Sequence, residues 1–136
     1  MSIARYAIVD AVYRFGAGQD LRDRALLASA FSADAVLDFT AVAHKLGATI
    51  PTFDGRDMIV EAVFSSTGGL DTTHSITNPR VTAYDGNRAS LFALIEAQHL
   101  VREDHARHLL LKNVLSIALL REPTGWVIDR MDFRNA

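Results

Sequence analysis

RASLFALIEAQHLV, residues 88–101, is the stretch that decides how this chain folds. Ala89, Leu91, Ala93, Ile95 and Ala97 recur at every second position, and the row ends on His99. Successive side chains of a strand point to opposite faces, so this alternation predicts a long β-strand with one buried face. Alanine holds three of the positions in that row. Small side chains on a concave face leave room for a ligand instead of filling the space, and His99 stands at the end of the otherwise apolar row.

The neighbouring segments keep the period. Asp85-Gly86 is a hairpin signal that joins residues 88–101 to a preceding strand over residues 73–84. Downstream, REDHARH (102–108) reads as a polar connection, residues 109–121 as another long strand, EPTG as a turn and residues 126–133 as the last strand. On this reading Leu115, Ile117 and Leu119 face away from the cavity, exposed, and suggest a sheet-mediated homo-oligomer.

The first half has a different period. Ile8, Val12 and Phe15 recur at helical spacing, predicting a helix over residues 2–15 that GAGQD (16–20) ends, because glycine costs helix stability. A second helix is predicted over residues 21–31 with Asp20 as its N-cap and Asp23 three positions on. AVLDF (35–39) reads as a short strand and residues 41–51 as a loop. DGRDMIVEAVFSS (54–66) reads as a turn followed by a third, shorter helix. Helices followed by an antiparallel meander make an α+β fold, with the N-terminal helices packed on a curved, mostly antiparallel sheet that closes into a cone.

Composition bounds the function. The chain has 136 residues, enough for a single domain over residues 1–136 with its own core. A net charge of −2 gives no nucleic-acid footprint. There are no cysteines, which excludes disulfides and thiolate chemistry. Charge interrupts the apolar residues of MSIARYAIVD, so no signal peptide is expected, and no apolar run is long enough to span a membrane. The expected location is cytoplasmic.

Three residues could carry chemistry: Asp20, His74 and His99. Each has a plain structural role open to it, as a helix cap, a strand start and a core hydrogen-bonder. Together they suggest more. An imidazole in an apolar cavity is a weak base, because burial disfavours its charged form. A carboxylate on its other nitrogen fixes the tautomer and stabilises the imidazolium. An Asp–His pair is therefore a minimal apparatus for abstracting a proton, with no cofactor required. Asp20 and His74 lie far apart in the sequence, so only the fold can join them.

AIVDAVYRFGAGQDLRDRALLASAFSADAVLDF, FDGRD, TTHSITNPRV, DGNRASLFALIEAQH and TGWVIDRMDF occur in that order and cover nearly the whole chain. In this order and spacing the chain resembles the nuclear transport factor 2-like superfamily in its SnoaL-like branch, and within it scytalone dehydratase and hexachlorocyclohexane dehydrochlorinase. The resemblance implies a cone-shaped fold, a catalytic aspartate at Asp20, a catalytic histidine at His74 and a second histidine at His99. The dehydrochlorinase lacks that second histidine, so the set of three favours the dehydratase side. Two tyrosines that help polarise the carbonyl in scytalone dehydratase correspond to Gln19 and Phe39, and Phe15 stands where the dehydrochlorinase has a lysine. These three would line the substrate site.

The remaining motifs carry less. His99, His105 and His108 match no zinc spacing, and no metal is expected. GAG follows a helix and is no dinucleotide fingerprint. Lys112 and Asn113 lie on a strand whose two faces are both apolar, so its parity stays open. Trp126 is expected in the core, and Asp10 and Glu96 at the surface or facing a partner. The resulting expectation is a cofactor-independent lyase that eliminates water from a small, apolar cyclic or aromatic hydroxy-ketone. The rivals are a ketosteroid-isomerase-like proton shuttle and a non-catalytic ligand-binding or dimerisation module. Family resemblance implies a dimer or a trimer.

Overall fold

The computed structural model describes residues 2–136. Its elements run α1 (Ile3–Asp20), α2 (Arg24–Ser29), β1 (Phe31–Asp38), α3 (Thr40–Lys45), β2 (Phe53–Asp54), α4 (Arg56–Ser66), β3 (Leu70–Tyr84), β4 (Arg88–Val101), β5 (Asp104–Glu122) and β6 (Gly125–Asn135). Six strands form one curved, open sheet in the order β2-β1-β6-β5-β4-β3. Every pairing is antiparallel except β1 with β6. The helices pack against the sheet, giving the mixed α+β architecture that the change of period predicts.

The row that set the fold behaves as its alternation requires. Ala89, Leu91, Ala93, Ile95 and Ala97 are all buried. Across the hairpin they meet Leu119, Ile117, Leu115, Asn113 and Leu111 in register.

That register corrects one expectation. Leu115, Ile117 and Leu119 are 0%, 3% and 1% exposed and belong to the core. Facing residues of paired strands project to the same side of a sheet, and these three face Ala93, Leu91 and Ala89. They supply no exposed patch, and the sequence argument for sheet-mediated association falls with them. The same parity places Asn113 inside, 4% exposed, and leaves Lys112 outside.

The helices depart from expectation at GAGQD. It does not end the first helix, for α1 continues through Gly16 and Gly18 to Asp20. Close packing, not chain reversal, calls for these glycines. A Cβ on Gly18 would lie 2.5 Å from the Leu27 backbone nitrogen, and one on Gly16 would lie 3.3 Å from the His74 carbonyl oxygen. The helix tolerates the cost of roughly 1 kcal/mol per glycine because α2 and β3 must come that near.

The turn that ends α1 comes later. Arg22 adopts φ 53°, its N–H donates to the Gln19 carbonyl, and the Asp23 N–H donates to the Gly18 carbonyl. This is a Schellman closure with arginine in the left-handed position that glycine usually takes. Asp20 is thus the last residue of α1 and not the cap of α2. Asp23 caps α2, accepting from the Leu26 N–H at 3.0 Å. That helix is also shorter than expected, because Phe31 already belongs to β1.

Two segments expected to be irregular are regular. Residues 40–45 form α3, and the polar run after β4 is mostly strand, since β5 begins at Asp104 and leaves Arg102-Glu103 as a two-residue turn. His105 and His108 are exposed on that projecting hairpin. Asp71 binds it to the start of β3 through Arg102 at 2.9 Å and His105 at 2.8 Å. Trp126 is buried, Glu96 is exposed, and Asp10 pairs with Arg14. Among the described residues no helix is long and apolar enough to cross a membrane.

Candidate active site

The cavity lies between α1, α4 and the concave face of the sheet and measures about 190 Å³. Its walls include Phe15, Leu37, Phe39, Phe53, Ile95 and Phe133. An apolar cavity of about 150 Å³ accommodates benzene, so this one has the size of a single ring with small substituents. Ala97 lies on the cavity wall, where a small side chain leaves the space open.

α1 and β3 bring the first pair of polar residues together. β3 is an edge strand, and an edge strand leaves outward N–H groups unpaired by any neighbouring strand. The Asp20 carboxylate fills that gap, taking the His74 backbone N–H on Oδ2 at 2.7 Å. Its Oδ1 lies 2.7 Å from His74 Nδ1 and accepts from the Thr72 hydroxyl at 2.9 Å. A carboxylate only accepts, so Nδ1 carries a proton, and in the neutral ring Nε2 keeps its lone pair. The His74 side chain is 7% exposed and lines the cavity.

An aspartate at a helix C-terminus is electrostatically awkward, because the helix dipole is negative there. Burial, the largest influence, also works to raise the Asp20 carboxyl. The His74 ring, its backbone N–H and charge, and the Thr72 hydroxyl together outweigh it and hold the group below the ordinary carboxylate value. Asp20 is therefore an anion wherever the pair works near neutral pH.

His99 reaches the cavity from β4. It faces Thr72 across the sheet while Ala97 faces His74, so the two histidines are diagonal neighbours on one face. Their ring centroids are 5.9 Å apart with the planes nearly perpendicular. His99 Nδ1 lies 3.2 Å from the Leu109 carbonyl and donates to it, which leaves Nε2 as an acceptor in the neutral ring. Burial pushes the His99 imidazole below its usual value; the carbonyls of Leu109 and Ala97 oppose the shift and the charge of His74 adds to it. The Phe15 ring sits edge-on to His74 at 6.3 Å.

Gln19 and Phe39 also lie on the cavity wall, as does Asn113, whose parity the sequence left open. Gln19 sits one turn beyond Phe15 on α1, so both point into the cavity from the same stripe. Asn113 faces Ile95 across the β4–β5 pairing, inside the cone. Among the described residues its carboxamide makes no protein hydrogen bond, yet no side-chain polar atom is both sealed and unpaired. Its polar atoms therefore open on the cavity. Among the described residues no cluster of three or more histidine, aspartate or glutamate side chains is arranged to hold a metal ion.

The comparisons agree with this architecture. The chain belongs to the SnoaL-like domain family, whose model matches residues 2–132. Among curated proteins it is similar to terrestric acid biosynthesis cluster protein E of Penicillium crustosum, 33% identical over 95 residues. That match covers 70% of this chain and 55% of the fungal protein, so the chain spans little more than half the length of that relative. Among solved structures it resembles a candidate scytalone dehydratase from Novosphingobium aromaticivorans, with TM-score 0.82, 15% identity and coverage of 97% and 83% of the two chains. It also resembles a type 2 hexachlorocyclohexane dehydrochlorinase, with TM-score 0.78, 19% identity and coverage of 95% and 82%. At these identities the structural likeness concerns the fold.

Proposed function

We propose that this protein is a cofactor-independent lyase that eliminates water from a small cyclic hydroxy-ketone. The observation that carries the reading is the Asp20–His74 pair, 2.7 Å apart, on the wall of an apolar cavity of about 190 Å³. His74 Nε2 takes the proton from the carbon next to the carbonyl. The C–H electron pair passes through an enolate into the new C=C bond as the C–O bond breaks. The His74 imidazolium returns its proton to the departing hydroxide, which leaves as water. Atoms and charge balance without an oxidant or reductant.

Each neighbour has a defined part. Asp20 fixes the His74 tautomer and balances the imidazolium, as a buried carboxylate does for any histidine base. The Asn113 carboxamide offers an N–H to the enolate oxygen, the position where one fixed donor is worth about a hundred- to a thousandfold in rate. His99, held neutral by burial, accepts a hydrogen bond from a substrate hydroxyl or bridging water. Phe15 and Phe39 exclude water and lie against the ring of the substrate.

The test is a panel of one-ring hydroxy-ketones incubated with the purified protein and read by mass spectrometry. Loss of water that disappears in His74→Ala supports the lyase. Unchanged mass with exchange of solvent deuterium into the ring would replace it with the isomerase reading. Binding without either change would make the protein a ligand-binding module.

A further inference from the structure

The amide of Gln19 is oriented by its own helix. Its Nε2 lies 3.1 Å from the Phe15 carbonyl oxygen, which can only accept, so the atom there is nitrogen and Oε1 is turned away. Gln19 is 5% exposed and lines the cavity. Among the described residues Oε1 has no donor, and no side-chain polar atom is sealed without a partner. Oε1 therefore opens on the cavity, on the wall formed by α1.

Apart from Asn113, whose carboxamide both donates and accepts, the polar groups of the cavity lean toward acceptance. His99 Nε2 accepts only, because Nδ1–H is committed to Leu109. In the neutral ring His74 Nε2 accepts only, because Nδ1–H is committed to Asp20. Gln19 has already given one of its two N–H groups to Phe15. Among the described residues no tyrosine lines the cavity. A ligand rich in carbonyls would leave these buried acceptors without partners, and an unsatisfied buried polar group costs about 1–3 kcal/mol.

We propose that Gln19 is a specificity-determining residue that reads a hydroxyl hydrogen on the substrate, so that the site selects a one-ring compound carrying at least one hydroxyl besides the departing one. The proposal rests on the reading of this cavity as the substrate site, and it extends that reading to the substrate class. Gln19 Oε1 accepts from that second hydroxyl, while the carbonyl oxygen turns to Asn113. The size of the cavity limits the ring system to one ring, and the orientation of Gln19 sets which edge of the ring carries the donor.

The experiment compares resorcinol with meta-fluorophenol, which keeps the ring and the size but replaces one donor by a weak acceptor. Affinities are measured by protein-observed NMR titration for the native protein, Gln19→Met, Gln19→Leu and His74→Ala. The native protein should prefer resorcinol by roughly ten- to a hundredfold, the cost of one unpaired buried group. The gap should close to within about threefold in Gln19→Met, an unbranched side chain that fills a similar space. Gln19→Leu repeats the test if the methionine variant fails to fold.

In His74→Ala the gap should persist, because reading the hydroxyl does not require the base. Equal affinity of the two probes for the native protein, no binding of resorcinol, or a gap unchanged in both Gln19 variants overturns the proposal. A gap that depends on Gln19 in a protein that expels no water from any ring retains the hydroxyl reading and removes the lyase.

Discussion

Gly16 of α1 packs against His74 of β3 so closely that a Cβ added to the glycine would stand 3.3 Å from the His74 carbonyl oxygen and 3.4 Å from its Cβ. The histidine proposed as base is thus seated against a helix backbone, and the seat tolerates little extra volume. Gly16→Ala gains about 1 kcal/mol of helix propensity but must displace His74 by a few tenths of an ångström. The expected outcome is a melting temperature close to that of the native protein with activity reduced about tenfold, a small misplacement being costly to reaction geometry. Calorimetry beside the water-elimination assay checks it, and unchanged activity would show that His74 has slack.

Gly18→Ala should behave in the opposite way. The added carbon would lie 2.5 Å from the nitrogen and 2.6 Å from the Cα of Leu27, backbone atoms that move only if α2 moves. Destabilisation of about 2 kcal/mol or more is expected despite the gain in helix propensity, within the usual range for overpacking. Chemical denaturation measures it, and a stabilised variant would mean that α2 shifts freely.

His74→Ala should lose about a hundred- to ten-thousandfold in kcat, the range for one general base, with the circular dichroism spectrum unchanged. Asp20→Asn should cost nearly as much, because the amide can offer its N–H to Nδ1 and so favour the wrong tautomer. If Asp20→Asn keeps full activity, the carboxylate serves only to hold the edge of β3.

Asn113→Leu separates catalysis from stability. The expected loss is about a hundred- to a thousandfold in kcat, as for a missing enolate donor. Stability should be equal or higher, since a buried amide without a protein partner gives way to an apolar group of similar size. A change confined to KM would assign Asn113 to binding alone.

The titration of the site predicts how stability varies with pH. Burial lowers the folded-state value of His99 below 6.5. The unfolded chain then binds the extra proton first as the solution is acidified. The His99 contribution is therefore complete above the unfolded value and is lost as pH falls through the folded one. Asp20 adds a second, more acidic loss, because its folded value lies below 3.8 and its contribution disappears as pH drops through that lowered value. Melting curves of His99→Gln should lack the first decline and those of Asp20→Asn the second. A native protein whose melting temperature rises on mild acidification would contradict the assigned direction for His99.

The sequence was legible where one physical signal dominated. The bounds of β4 follow from its strict alternation, and the face it buries follows from the same row. The polar pair was legible as residue types, but not as a contact. GAGQD looked like a break because glycine usually weakens a helix, and nothing in a single chain shows that Leu27 and His74 need the space beside it. Moving the helix end to Asp20 changes what Asp20 does, from capping α2 to holding β3. The parity of β5 was illegible because both of its faces are largely apolar, and that ambiguity hid Asn113 and misplaced Leu115, Ile117 and Leu119. α3 has no sequence signal of its own, because a helix of six residues opening after Phe39 lacks a side-chain cap.

The last turn of α1 is built from residues that should fray: two glycines within three positions, then an arginine at φ 53°. It is held by what it holds. Asp20 is fastened to β3 by Thr72 and His74, and Arg22 is fastened to Thr67, the C-cap of α4, whose hydroxyl accepts at 2.7 Å. Thr67 itself lies on the cavity wall. The Asp20–His74 pair and the Thr67 wall of the cavity therefore hang from one short turn. Slack at either fastening reaches the other through three residues of backbone, so the seat of His74 and the shape of the cavity beside Thr67 are set together.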